Sequence, residues 1–470
     1  MTYSFREILP YYRRNLKVAM PVVLTQLGAA LVGLFDSIMV GHYGTTDLAA
    51  VSFSNAIFFT VMVFSMGAIM GITPLVGHAH GRLEKLRSES DESAEAVAQQ
   101  HEKIASYLGN GLVYAGLICL VSFALLAPCI GLLDWFGQEP VVVACARPYY
   151  ILIVLSILPF LLFCFCKQFL EGLGNTIVAM VITICCNLLN ILLNWVLIFG
   201  HWGFRAMGAE GAGWATLISR MLMPVCFLAA MFVRREWRRY FGLLRGRMIS
   251  LGELRRLIAI GTPIGLQSFC EAFLFTASFV IIGWINKETL AAHHIANQMA
   301  DLTFMLALGI GAATTIRVSH QLGHGDLHAV RMASRASVHL CLLMNTIGAA
   351  IMIFGRNYIP YIFTDDPAVV PIASQLLVIA GTLQYVDGLQ CIGAAMLRGI
   401  QDVRVPMRIA MIAYIGVALP LGLLLTFPVG LGAKGMWISF VIALAIPAVL
   451  YHIRFNKQLK RMEYGTKTSI

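Results

Sequence analysis

The sequence predicts an all-α polytopic membrane protein with twelve transmembrane helices in two six-helix lobes related by internal duplication. Three observations support this fold class: the composition, the lengths of the apolar runs, and a long internal repeat. Of the 470 residues, 59% are hydrophobic and only 12% are charged, and the mean hydropathy is +0.77. A chain with so little polar surface cannot cover a water-soluble globule, so we expect it to lie in the bilayer.

Apolar runs long enough to cross a bilayer define the predicted helices. Six precede a basic stretch, at residues 18–41, 49–77, 105–133, 143–166, 175–199 and 210–233. Six follow it, at residues 257–285, 290–316, 332–362, 369–396, 405–427 and 430–453. We therefore divide the chain into an N-lobe (1–235), a basic cytoplasmic connector (236–256) and a C-lobe with a cytoplasmic tail (257–470).

The repeat begins at Pro21 and returns at Pro263 without a gap. The matched pairs are Pro21 with Pro263, Gly41 with Gly283, Asn55 with Asn297, Gly67 with Gly309, His78 with His320 and Gly81 with Gly323. An even number of spans in each copy gives the two lobes the same orientation, related by an axis along the membrane normal. That arrangement predicts a cleft between the lobes that can close from either side.

Basic residues set the expected orientation, because Lys and Arg are retained on the cytoplasmic side. Of the 34 Lys and Arg residues, 29 fall on the side of both termini, with Lys167 and Arg220 counted there as residues at span ends. The other five are Arg147, Arg205, Lys287, Arg356 and Lys434. We therefore expect both termini in the cytoplasm and the chain in the plasma (inner) membrane.

Several functional classes find no support in the sequence. The net charge of +10 comes with no RNA- or DNA-binding motif, so we expect no nucleic-acid partner. The eleven cysteines lie mostly in apolar runs, and no Cys-x-x-Cys framework suggests a metal or disulfides. Without a G-x4-GK[ST] motif no ATP site is visible, which leaves an ion gradient as the energy source. We expect no enzyme activity and no cofactor.

Four acids lie well inside predicted spans: Asp36, Glu271, Asp387 and Asp301. A carboxylate there costs at least ~2.5 kcal/mol on insertion scales, which makes each a candidate functional residue. Desolvation favours the neutral form, so such an acid can hold a proton or exchange it for a cation. The alternative is a structural acid that hydrogen-bonds between helices. We favour function for the first three acids and the structural role for Asp301.

Three asparagines of the fifth span, Asn187, Asn190 and Asn194, are spaced to lie on one helix face. Their carbonyl oxygens could complete a small cation site with Asp36, or they could form interhelical hydrogen bonds; their spacing alone leaves both open. Thr216 follows a glycine-rich start of the sixth span, where helix backbones can approach closely. We expect no metal centre apart from a monovalent Na+ at Asp36 or at the Glu271/Asp387 pair.

Four motifs follow one another along the chain: FDSIMVGHYGTTDLAAVS and PLVGHAHG in the first half, and RVSHQLGHGD and LRGIQDVRVP in the second. Together they resemble the multidrug and toxic compound extrusion (MATE) family. FCEAFLF at Glu271 and QYVDGLQ at Asp387 are similar to acid-bearing segments of the bacterial NorM-like branch. The resemblance covers essentially the whole chain.

The resemblance implies efflux of organic cations from a bacterial cell, coupled to inward flow of H+ or Na+. By this resemblance Asp36, Asn190, Asn194 and Thr216 match the N-lobe cation-site positions, and Glu271 and Asp387 match the C-lobe pair. Two departures are visible, because Asn194 stands where some relatives have an acid and Leu383 stands where some have a tyrosine. Asp301 and Asn187 are further, weaker candidates.

The expected mechanism is competition between the drug and the coupling ion for the same carboxylates, in a monomeric protein embedded in lipid. The nearest alternative is a flippase or exporter of a lipid-linked saccharide, which would favour basic residues within the spans. The basic residues found here lie mostly near predicted span ends. An integral membrane enzyme, the other alternative, would not require two duplicated halves.

Overall fold

The computed structural model describes residues 5–89, 94–244 and 249–467. Over these residues the regular structure is helical, with no β-strand, and twelve segments are long and apolar enough to cross a membrane. The predicted all-α, twelve-span fold is therefore confirmed. Residues 90–93 of the polar loop after the second span, and residues 245–248 of the predicted connector, lie outside the described residues.

The helices of the first repeat run almost without interruption. They are α1 (Phe5–Tyr43), α2 (Thr45–Ile69), α3 (Ile72–Ser88), α4 (Ala94–Leu126), α5 (Cys129–Leu132), α6 (Pro140–Leu155), α7 (Ile157–Gly172), α8 (Ile177–Phe199), α9 (Gly208–Val233) and α10 (Arg235–Leu243). The pairs α2–α3, α4–α5 and α6–α7 each form one span with a short break, so these ten helices give six spans.

The second repeat contains the remaining helices. They are α11 (Leu251–Gly283), α12 (Lys287–His324), α13 (Leu327–Gly355), α14 (Val370–Gly399), α15 (Arg404–Met411), α16 (Leu419–Thr426) and α17 (Ala433–Lys467). A π-helical segment, Ile412–Ala418, joins α15 to α16 within one span. Wide turns of this kind inside α-helices are often found at functional sites.

The chain packs as two compact units. The N-unit contains Leu24–Phe269, and the C-unit contains Met1–Val23 together with Cys270–Ile470. Each unit thus contains the N-terminal part of the helix that begins the other repeat. The predicted lobe boundaries at 235 and 257 follow the repeat instead, and they stay a prediction.

Close helix contacts explain why the opening helices divide in this way. In the N-unit, a Cβ on Gly67 of α2 would lie 2.9 Å from Cα of Gly265 in α11. In the C-unit, a Cβ on Gly309 of α12 would lie 2.9 Å from Cα of Val23 in α1. Gly309 is the repeat partner of Gly67, and Val23 stands in register with Gly265. The same small-residue crossing therefore occurs once in each unit.

The connector begins with the amphipathic helix α10, part of the N-unit. Its Trp237 and Tyr240 are buried, while Arg235 and Arg238 are exposed. Arg239 on the same helix lies 2.7 Å, Nη1 to Nε2, from His101 of α4. The apolar face of α10 therefore packs on its own unit.

Candidate functional site

The N-unit brings Asp36 of α1 against the asparagines of α8. Asn194 Nδ2 donates a hydrogen bond to Asp36 Oδ1 over 2.5 Å and another to Asn190 Oδ1 over 3.2 Å. Asn190 and Asn194 are four residues apart, so they lie on the same face of α8, and both are buried because this face points inward. The structure thus assembles three of the predicted N-lobe residues in one hydrogen-bonded chain.

The two other N-unit candidates are less directly involved. Asn187 lies one turn before Asn190, and its Nδ2 is buried without a hydrogen bond to another described residue. Thr216 is partly buried in α9, and the structure gives it no hydrogen bond to Asp36 within the described part of the chain. Their proposed part in ion binding stays a prediction.

Arg220 is the residue of this site that our sequence analysis misplaced. We had counted it at a span end, but it lies in the middle of α9, one turn after Thr216, so that assignment was wrong. Its Nη1 donates to Ser156 Oγ over 2.7 Å, and its Cζ lies 4.6 Å from the ring centroid of Phe160 and 5.1 Å from that of Phe58. Arg220 follows Thr216 by four residues, and this spacing could have indicated that both lie on the same helix face within the span.

The guanidinium of Arg220 acts electrostatically on the Asp36 carboxylate. Arg220 is partly buried, and a charge withdrawn from water needs hydrogen bonds and an opposite charge nearby. Asp36 supplies a negative charge without a direct ion pair, while Ser156 and the rings of Phe58 and Phe160 contact the guanidinium. The N-unit site therefore holds one acid and one base of opposite charge.

The C-unit places three acids within electrostatic range of one another. The carboxylate of Asp387, in α14, is buried and is repelled by those of Glu271 in α11 and Asp301 in α12. Asn297 Nδ2 donates to Asp301 Oδ2 over 2.9 Å. The structure thus gives Asp301 the amide partner expected of a structural acid, although it also faces Asp387.

Two residues that we did not predict accompany these acids. Gln390, one turn after Asp387 and next to Glu271, donates from Nε2 to Tyr414 Oη over 2.7 Å. Tyr414 is fully buried on the π-helical segment. Leu383 has no hydroxyl group. The phenol in this region comes instead from Tyr414, which lies on a different helix. No sequence signal revealed this, because a π-helical turn has no recognised motif.

Acceptor oxygens of the C-unit site remain unused by the protein. Glu271 Oε1, Asp387 Oδ1 and Gln390 Oε1 are buried and accept no hydrogen bond from another described residue. Arg398, at the end of α14, acts electrostatically on Glu271. If all these groups are ionised, three carboxylates face one guanidinium, so the site carries a net charge of −2.

Comparisons with known proteins agree with this architecture. The family model MatE matches residues 21–88, 93–196 and 263–424. A protein named "Probable multidrug resistance protein NorM" from Xylella fastidiosa (strain 9a5c) is 32% identical over 453 residues, covering 96% of this chain and 93% of the relative. A protein of the same name from Rhizobium meliloti (strain 1021) is 32% identical over 464 residues, covering 98% and 96%.

A solved structure shares the fold. The crystal structure of the eukaryotic MATE transporter AtDTX14 superposes with a TM-score of 0.82, covering 97% of this chain and 98% of the other at 19% identity. Twelve apolar spans among the described residues, in two repeats with an acidic side chain inside a span of each unit, define a multi-pass membrane transport protein. The match to the family model and to these relatives shows that the chain belongs to the MatE family, which confirms the resemblance.

Proposed function

We propose that this protein is a secondary active multidrug exporter that exchanges intracellular organic cations for inward H+ or Na+. The observation that carries the proposal is the excess negative charge of the C-unit site. Glu271, Asp387 and Asp301 outnumber the single guanidinium of Arg398, and buried acceptor oxygens face them. Such a site attracts cations and holds them only while its carboxylates are ionised.

Exchange follows from competition for this charge. A proton or Na+ on Glu271 and Asp387 neutralises the site and releases an organic cation outward. Loss of that ion to the cytoplasm restores the charge and the affinity for the next substrate. A membrane potential of 100 mV supplies about 2.3 kcal/mol per inward elementary charge, which is enough to drive such a cycle.

The N-unit site takes part in the same cycle through Asp36. Its carboxylate is hydrogen-bonded by Asn194, which bonds Asn190 in turn. Protonation of Asp36 would weaken its interaction with Arg220 and change the packing of α1 against α8 and α9. We propose that this change couples ion uptake to a conformational step, with Thr216 and Asn187 as further contributors.

The relatives named as probable multidrug resistance proteins support the substrate class. Their bacterial origin and the twelve apolar spans support a bacterial inner-membrane protein, and the asymmetry of basic residues favours cytoplasmic termini. We propose a monomer without a cofactor. The flippase alternative gains support from Arg220 within a span, but its guanidinium contacts Ser156 and two aromatic rings and interacts electrostatically with Asp36. The flippase alternative requires a cationic cavity whose charge is not balanced by acidic side chains.

The test is ethidium transport by the purified protein in proteoliposomes, with ΔpH and a Na+ gradient imposed separately. Glu271→Gln and Asp387→Asn are compared with Asp365→Asn, a control in an exposed loop. We expect one gradient to drive transport by the wild type and the control, with at least a tenfold loss in both site variants. Absence of gradient-driven transport in the wild type, or normal transport by both site variants, would refute the exchange mechanism.

A further inference from the structure

A cavity of about 670 Å³ opens at one end of the C-unit, where α13 ends and both α14 and α17 begin. Its lining includes two cations, three polar side chains and an apolar wall contributed by α14. The residues that carry the argument are Arg356, Asn357, Tyr361, Ser374, Val378 and Lys434. None of them belongs to the carboxylate sites described above.

The charge of this cavity is entirely positive. Arg356 and Lys434 come from distant parts of the chain, and no acidic residue is part of the lining. Neither cation forms an ion pair with another described residue. The neighbouring loop acids Asp365 and Asp366 lie outside the lining, and Asp366 Oδ1 accepts the Ala368 N–H over 2.9 Å. An anion in the cavity would therefore meet no carboxylate.

Basic residues are scarce at this end of the spans, which makes their convergence informative. Only five of the 34 Lys and Arg residues fall on this side, and two of the five line one cavity. Lys434 stands in the first turn of α17, where the positive end of the helix dipole repels an ammonium. An anion beside Lys434 would remove that penalty.

Hydrogen-bond donors point to the same chemistry. Ser374 Oγ donates to Asn357 Oδ1 over 3.1 Å, which leaves the Asn357 Nδ2 amino group as the free donor of that amide. The helix N-termini add little, because in the first turn of α14 the Val370 N–H donates to Asp366 O and Pro371 has no N–H, and in α17 the Gly435 N–H donates to Gly432 O. A guanidinium, an ammonium and an amide together match a phosphate group.

The surroundings place the cavity beside lipid headgroups. Phe354, Tyr358 and Ile362 next to it are 82%, 77% and 78% exposed. Tyrosine is one of the residues that concentrate where the bilayer meets water, and the other two side chains add apolar surface beside it. Val378 and Ile379 of α14 line the cavity itself, so an acyl chain that follows a bound headgroup would find an apolar wall.

We propose that this cavity binds a phosphate-bearing anion, supplied as the headgroup of an anionic phospholipid. Arg356 and Lys434 contact the phosphate, Asn357 donates to it, and the acyl chains lie along α14. The proposal does not depend on the exchange mechanism, because it concerns a different part of the C-unit.

The experiment measures lipid retention by native mass spectrometry of the full-length protein released from nanodiscs. One preparation contains phosphatidylglycerol and phosphatidylcholine in equal amounts, a second contains phosphatidylcholine alone, and a third adds inorganic phosphate to the mixture. The test variant is Arg356→Gln/Lys434→Gln. The matched control is Arg205→Gln/Lys287→Gln, which removes two exposed cations from the same side outside the cavity.

We expect the wild type and the control to retain one phosphatidylglycerol, and the test variant to retain it at least tenfold less. Equal retention by the test variant and the wild type, or no preference of the wild type for phosphatidylglycerol over phosphatidylcholine, would overturn the proposal. Displacement of the lipid by millimolar inorganic phosphate would overturn the lipid source and leave a free-anion site. Persistence of the lipid in phosphate supports the headgroup assignment.

Discussion

Replacing Arg220 with glutamine tests whether this partly buried arginine stabilises the negative charge of Asp36. Arg220→Gln keeps a polar side chain near Ser156 but removes the positive charge from between Phe58 and Phe160. Among the described residues, the carboxylate of Asp36 then keeps the Asn194 amide as its one hydrogen-bond donor. We therefore expect the loss to exceed that of a surface charge.

The expected magnitude follows from the contacts that are lost. A hydrogen bond to a charged group contributes about 1.5–3 kcal/mol, and a desolvated cation–π contact contributes about 2 kcal/mol. These terms overlap, and Asp36 and Arg220 are each partly exposed and form no direct ion pair, so we expect the loss to be about 1.5–3 kcal/mol in total. Asp36→Asn should cost less, since Arg220 keeps Ser156 and both aromatic rings.

The assay is a double-mutant cycle on the purified protein, with the free energy of unfolding measured by titration with a denaturing detergent. If the two charges interact, Asp36→Asn/Arg220→Gln will be less destabilised than the two single variants together, by about 0.5–3 kcal/mol. Arg205→Gln, at an exposed loop position, serves as the control and should change stability by less than about 0.5 kcal/mol. Strict additivity of the single variants would refute the stabilisation of Asp36 by Arg220.

Two further predictions concern the C-unit and its helix packing. Gly388→Ala should destabilise the protein by about 1–3 kcal/mol, because the added methyl group would collide with the Asn345 side chain. The control Gly116→Ala, with open space at its Cβ, should stabilise the protein by up to about 1 kcal/mol. Equal effects of the two variants in the same unfolding assay would contradict this prediction. Tyr414→Phe should cost about 1–3 kcal/mol by leaving the buried Gln390 amide without its 2.7 Å partner, and unchanged stability would show that the bond is dispensable.

The sequence predicted what depends on local periodicity. Asn190 and Asn194 could be placed on one helix face from their spacing, and the structure bonds Asn194 to both Asn190 and Asp36. The repeat likewise revealed two related halves, and the Gly67 and Gly309 contacts show the same crossing in each unit. Both inferences needed only the geometry of a regular helix.

What the sequence did not reveal depends on how distant helices are positioned. Arg220 was assigned to a span end because the rule for basic residues counts position along the chain and not lateral contacts. Tyr414 meets Gln390 only because the π-helical segment widens one turn of its span. The split of α1 between the units could not be predicted either, because it follows from the crossing at Val23.

The difference in charge between the two sites bears on how they divide the work of transport. In the N-unit, Asp36 faces the tethered cation Arg220, so a mobile cation must compete with an arginine that is fixed in place. In the C-unit, Glu271 and Asp387 outnumber their guanidinium, so a mobile cation has unbalanced charge to neutralise. Unbalanced negative charges are costly inside a membrane, so binding a cation lowers the free energy of the C-unit site more than that of the N-unit site. If the exchange mechanism that we propose holds, substrate cations should therefore bind first at the C-unit, and Asp36 should act mainly through its protonation.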